Sequence, residues 1–237
     1  MIDVHWVRAL KDNYVYILVV DGRAAVVDPG EAAPVEAGLA RLGVRLAEIW
    51  CTHHHADHTG AAAELAARHR VDVVGAAADW GRYAGQTRRV ADGETFRFCD
   101  HEVEAWHIPA HTKGHTAFIV DGNCFPGDTL FGAGCGRLFE GTPAMMHAAL
   151  RRLAAQPDAT RVWCGHEYTL HNLTFAVEVA PDDAAIRARY ERVAAAPDVP
   201  TVPLSLPEER ATNLFVRAPD VAALAEVRKR KDEWRPK

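Results

Sequence analysis

The sequence predicts an α/β fold, sheet inside and helices outside, closed by a small helical appendage. Three observations carry this. Short β-branched runs alternate with helical patterns up to about residue 165, whereas strand signals are absent after about residue 170. The 237 residues are 49% hydrophobic and 25% charged, enough apolar surface for a real core. Set against a typical domain of about 150 residues, that length fits one large domain with a smaller attachment.

The strands are predicted at Ala24–Val27, Glu48–Cys51, Val71–Val74, Val103–Trp106, Phe118–Val120 and Arg161–Cys164. Helices lie between them. Thr142 before Pro143 is an N-cap followed by Pro at the first helical position, and Met146, Ala149, Leu150 and Leu153 then recur with helical spacing. Further on, Pro181-Asp182 opens a segment in which Ile186, Tyr190 and Val193 share one helical face. Four prolines (Pro197, Pro200, Pro203, Pro207) then impose a loop, Ser205-x-x-Glu208 has the form of a capping box, and a last helix begins near Asp220.

Composition excludes several classes. The longest apolar run, Tyr14 to Val20, is seven residues, against about 20 for a membrane-spanning helix. The first residues lack a basic stretch followed by an apolar one, so no signal peptide is predicted and a cytoplasmic location is expected. Five cysteines without a C-x-x-C pair fit neither a disulfide framework nor a zinc ribbon. A net charge of −5 gives no general attraction to nucleic acid or to anionic membranes, although residues 227–237 carry a local +4.

The chemistry is concentrated in Thr52-His53-His54-His55-Ala56-Asp57-His58-Thr59-Gly60, placed just after a strand and before a helical pattern. In extended chain His53 and His55 project to the same side, whereas Asp57 and His58 enter a helical turn and point elsewhere. Five potential ligands exceed what one tetrahedral ion accepts, so two adjacent metal sites are expected. His111, Asp128 and His166 each stand just beyond a predicted strand, where α/β folds gather functional groups. Any one of them alone is more often a surface or core residue; four such loops together are a pattern.

His53-x-His55-x-Asp57-His58 with His111, Asp128 and His166 resembles the metallo-β-lactamase superfamily. Within it, the 52–60 motif, His111-Thr112-Lys113-Gly114-His115-Thr116, Gly127-Asp128-Thr129-Leu130-Phe131 and Gly165-His166-Glu167-Tyr168-Thr169 are similar to the hydroxyacylglutathione hydrolase (glyoxalase II) family. Asp12-Asn13-Tyr14-Val15-Tyr16, Gly134-Cys135-Gly136-Arg137 and Asn213-Leu214-Phe215-Val216-Arg217 extend the likeness over nearly the whole chain.

The resemblance implies a four-layer αββα sandwich over residues 1–168 and a helical substrate-binding domain over 169–237. It implies that His53, His55 and His111 hold one divalent metal, that Asp57, His58 and His166 hold another, and that Asp128 bridges them. The expected metal is zinc, ahead of iron or manganese. Catalysis would rest on a metal-bridging hydroxide held by Asp57 and Asp128, with His54 not a ligand but packed or standing behind the ligands, and His115 orienting the site through hydrogen bonds. The implied reaction is hydrolysis of S-2-hydroxyacylglutathione, such as S-D-lactoylglutathione, to glutathione and a 2-hydroxy acid (D-lactate), the second step of methylglyoxal detoxification.

Substrate contacts are implied for Arg137, Phe139, Tyr168, Arg228 and Lys231. Glutathione carries a net −1 charge, which suits the basic tail. Two of these positions depart from the family pattern, with Arg137 where many relatives have lysine and Phe139 where they have tyrosine. The partner is thus a small glutathione thioester, neither nucleic acid nor membrane, and a monomer is expected. A mononuclear-iron persulfide dioxygenase of the same fold is the alternative; the Gly-His-Glu-Tyr-Thr run and the helical appendage weigh against it.

Overall fold

A computed structural model describes residues 2–235, so Lys237 of the basic tail lies outside the described residues. The first sheet contains β1 (Asp3–Ala9), β2 (Asn13–Val20), β3 (Arg23–Val27), β4 (Arg45–Cys51), β5 (Asp72–Ala76) and β6 (Arg88–Val90) in that order. Its first three strands pair antiparallel and the rest parallel. Helices α1 (Ala32–Leu42), α2 (Ala56–Thr59) and α3 (Ala62–His69) belong to the connections between β3, β4 and β5.

The second sheet starts with β7 (Thr95–Phe98), β8 (His101–His107), β9 (Thr116–Val120) and β10 (Asn123–Gly127), joined antiparallel. A two-stranded ribbon, β11 (Leu130–Phe131) and β12 (Gly134–Cys135), leads to α4 (Pro143–Ala154). Strand β13 (Arg161–Cys164) then pairs parallel with β10. After it come α5 (Thr169–Val179) and α6 (Ala184–Ala194), then β14 (Leu204–Ser205), α7 (Leu206–Thr212) and α8 (Val221–Glu233).

Alternation along β2 explains the layering. Tyr14, Tyr16 and Leu18 face the second sheet and pack with Phe118, Phe125 and Trp163, while Val15 and Ile17 face Val35 and Leu39 of α1 and Leu65 of α3. A strand buried on both faces reads as an unbroken apolar run, which is why residues 14–20 show no polar alternation. On the far side, Met146, Ala149, Leu150 and Leu153 of α4 join the core of the second sheet. The result is the four-layer αββα sandwich with helices α5 to α8 attached.

Two local expectations are corrected. A short strand, β14, does occur after residue 170, paired with β13 through Arg161 and Ser205; its two residues between Pro203 and Pro207 are too few to show a period. Ser205 does precede α7, but its side chain makes no capping bond. Its presumed partner Glu208 instead binds Arg192 and Arg189.

Candidate metal centre

The loops that follow β4, β8, β10 and β13 meet at one edge of the sandwich. From the turn after β4, His53 and His55 extend side by side, and α2 then carries Asp57 and His58. His55 Nδ1 lies 3.0 Å from His53 Nε2 and 3.1 Å from His111 Nε2. In the second group, His58 Nε2 and His166 Nε2 are 3.2 Å apart, and Asp57 Oδ2 is 3.5 and 3.4 Å from them.

Asp128 stands between the two groups. Its Oδ2 is 3.5 Å from His111 Nε2 and 3.3 Å from His166 Nε2, and its Oδ1 is 3.4 Å from His58 Nε2. All seven expected donors are therefore brought together. The backbone allows this approach because Gly165 has no side chain: a Cβ there would sit 2.4 Å from Asp128 Oδ1. Gly127, at φ +49, likewise lies where a Cβ would strike Thr52 Oγ1.

The outer ring nitrogens fix which way each imidazole faces. His58 Nδ1 donates to Asp28 (2.9 Å), His166 Nδ1 to Asp12 (2.8 Å) and His111 Nδ1 to the carbonyl of Arg137 (2.9 Å). Thr52 Oγ1 donates to Asp28 and so accepts from His53 Nδ1 at 3.0 Å. Every Nε2 lone pair of these four rings then points inward. His115 stacks on His53 at 4.5 Å and donates through Nε2 to Pro126. His54 turns away from the centre, toward Arg82 and Asp79.

Electrostatics separates the groups. Burial, and next the imidazoles around them, push His53 and His55 below the ordinary histidine range; burial takes His111 to about 4 against the pull of Asp128. These are neutral donors. Burial opposes charge on His166 too, but Asp128 and Asp57 prevail and raise it to about 10. Asp128 would be raised by burial, yet His58 and His166 hold it well below the carboxylate range.

These features fit metal ions. With both Nδ1 atoms donating outward, the Nε2 lone pairs of His58 and His166 face each other at 3.2 Å, and Asp128 Oδ1 is buried with no hydrogen-bond partner; a cation between them resolves both. Among the described residues, the donor atoms of His53, His55 and His111, and those of Asp57, His58 and His166, lie within 4.8 Å of one another.

A cleft of about 710 Å³ runs from this centre to the C-terminal helices. Arg137, Phe139, Tyr168, Arg228 and Lys231 all line it. Tyr168 stacks on His166 at 4.8 Å, and Phe139 meets His55 and His111 edge-on. Arg228 is largely committed within the protein, donating to Asp232 and to the carbonyl of Cys135. Lys231 Nζ lies over Phe175 and Trp234.

Sequence reasoning finds nothing at His171 to set it apart, yet it lines this cleft. It also missed Asp28, which follows β3 as Asp128 follows β10, and gave Asp12 no role although it stands in a quoted motif. The acid-after-strand signal was available for Asp28.

The sandwich with this donor arrangement defines a protein of the metallo-β-lactamase superfamily, whose family model matches residues 10–166. A model described as hydroxyacylglutathione hydrolase C-terminus matches residues 167–234. A hydroxyacylglutathione hydrolase of Synechococcus sp. (strain JA-3-3Ab) is 49% identical over 216 residues, covering 88% of this chain and 86% of the relative. One from Dechloromonas aromatica (strain RCB) is 46% identical, covering 94% and 84%. Within the superfamily, the chain belongs to the hydroxyacylglutathione hydrolase family. Among solved structures, ETHE1 from Myxococcus xanthus superposes with a TM-score of 0.77 at 21% identity, covering 99% of this chain and 93% of its own, a likeness of fold.

Proposed function

We propose that this chain is a dinuclear metal-dependent thioester hydrolase that converts S-2-hydroxyacylglutathione, with S-D-lactoylglutathione as the type substrate, to glutathione and a 2-hydroxy acid. The observation that carries the reading is Asp128, whose Oδ2 lies between His111 of one donor group and His166 of the other while its Oδ1 faces His58. His53, His55 and His111 would hold one ion, Asp57, His58 and His166 the other, and Asp128 would belong to both. When bound, such a pair of divalent ions brings the pKa of water from 15.7 toward about 7 and polarises the thioester carbonyl. Zinc is the proposed metal.

The chain's own groups do the rest. Asp57 Oδ2, steadied by Asn13 Nδ2 at 3.1 Å, is set to accept a hydrogen bond from the attacking water and so orient it. The leaving group is a thiolate with an ordinary pKa of about 8.5, so its departure needs no side-chain acid. Burial raises the Tyr168 phenol above its usual range, which keeps it a hydrogen-bond donor toward substrate. Arg137 and Lys231 face the carboxylates of glutathione, and Phe139 supplies an apolar wall. Arg228, with most of its N–H groups used internally, holds the β12 loop in place and offers the remainder.

In this reading residues 1–168 carry the chemistry and 169–237 complete the glutathione pocket. The enzyme acts as a cytoplasmic monomer; among the described residues no helix is long and apolar enough to cross a membrane. The test is to count metal per chain and follow loss of the S-D-lactoylglutathione thioester with and without chelator. Hydrolysis that tracks two ions per chain is expected. A fully metallated protein that leaves the thioester intact refutes the proposal.

A further inference from the structure

The first donor group is assembled from two loops that belong to different sheets: His53 and His55 follow β4, and His111 follows β8. One main-chain bond, Thr116 N to Thr52 O at 2.8 Å, joins their bases. Farther out the loops are connected through side chains that stand outside the wall of the cleft, one of which, His54, packs edge-on against His55 at 4.9 Å.

Glu140 is the hub on one side. Its Oε2 accepts from the backbone N–H of Lys113, two residues beyond His111, at 2.7 Å. Both its oxygens accept from the guanidinium of Arg82, Nη1 at 2.9 Å and Nη2 in a closer contact. Arg82 also donates through Nη2 to His54 Nε2 at 3.0 Å and through Nη1 to Asp79 Oδ1 at 3.2 Å. Receiving at Nε2, His54 carries its proton on Nδ1, which lies 3.5 Å from Asp79 Oδ1 without a hydrogen bond to it. Asp79 itself is fully buried, and a Cβ on Gly114 would collide with it.

The bonds form a continuous path from the His111 loop through Lys113 N, Glu140 and Arg82 to His54, which lies between two donors. An exposed ion pair ordinarily contributes little. This one differs because the fork is bidentate, one end rests on a buried carboxylate, and the other grips a backbone N–H. Phe139, adjacent to Glu140, is held edge-on to His55 at 5.6 Å and His111 at 5.2 Å by the same attachment.

We propose that Arg82 and Glu140 are positioning residues that set the distance between the His53–His55 turn and the His111 loop, and thereby the metal affinity of that donor group alone. The inference rests on the preceding reading that His53, His55 and His111 bind an ion. Neither residue is catalytic.

The experiment strips the wild type, Arg82→Met, Glu140→Gln and the double variant of metal and titrates each with Zn²⁺ against a chromophoric chelator. Each single variant is expected to weaken one of the two zinc sites by about tenfold and leave the other unchanged, the scale usual for groups that orient ligands. The double variant should lose no more than the worse single one, because both changes break the same path. Hydrolysis should return at saturating zinc. Glu140→Gln, nearly isosteric, is expected to melt with the wild type when metal-free, and it decides the matter alone if Arg82→Met melts early. Unchanged affinity in Glu140→Gln, equal weakening of both sites, or additive losses in the double variant overturn the proposal. A wild type with two tight zinc sites but no thioesterase activity overturns only the function reading.

Discussion

Asp28 holds two parts of the metal centre at once: one carboxylate oxygen accepts from His58 Nδ1 at 2.9 Å while the other accepts from Thr52 N at 2.7 Å. Asp28 does so at φ 56, a left-handed conformation unusual for a residue with a side chain. It therefore orients a donor in each group. Asp28→Ala is expected to lower metal affinity by about 10- to 100-fold, the range seen when ligand-orienting carboxylates are removed. Metal content after dialysis against a weak chelator measures this; a wild-type content in the variant would show that Asp28 matters only to the turn.

Asp128 faces both groups, so its removal should not resemble the loss of a single-site ligand. Asp128→Ala is expected to give a protein that retains fewer than two ions per chain and loses more than about 100-fold in kcat, beyond what orienting residues contribute. Two retained ions with normal turnover would separate Asp128 from the reaction.

Lys231 supplies the pH dependence. Its ammonium is pulled down to about 7, first by burial and then by Arg228 and Arg137. Below that pH it is a cation, and above it a neutral amine. KM for the anionic thioester should therefore rise from about pH 7 upward, approaching tenfold per pH unit, while kcat changes little. Lys231→Arg, charged throughout, should keep KM flat to about pH 9. A wild-type KM that does not change between about pH 6 and pH 9 would remove Lys231 from substrate capture.

Arg189 belongs to the architecture. It is 3% exposed and pairs with the fully buried Glu209, which also accepts from Ala133 N and Asn213 Nδ2 at 2.9 Å. Arg189→Met leaves that carboxylate short of a partner, and breaking such a buried pair costs about 3–5 kcal/mol. For a chain of this size that corresponds to a melting temperature lower by roughly 10 °C. Calorimetry on the metal-loaded protein checks it; a drop of about 2 °C or less would mean that the pair is replaceable.

The donors were legible because each stands where a strand signal stops, and a strand end leaves a side chain little choice of direction. The β-branched runs preceding Asp57, His111 and His166 mark the strand ends that these groups follow. What stayed hidden depends on contacts between distant segments. Arg189 falls on the same face of α6 as Ile186, Tyr190 and Val193, but nothing in the helix names its partner, and only the docking of α7 sets Glu209 against it. Arg228 and Lys231 lie three residues apart on α8, yet one is locked to Asp232 and Cys135 while the other lies against aromatic rings. Periodicity cannot distinguish them, because the difference comes from the walls that α8 meets.

The donors come from both sheets, His53, His55, Asp57 and His58 from the first and His111, Asp128 and His166 from the second. Neither slab owns a finished centre. A half-collapsed molecule holds the parts of such a centre without being one, so the donor set is complete only when the two slabs have closed on each other, and a cation held there would act as a rivet across the seam.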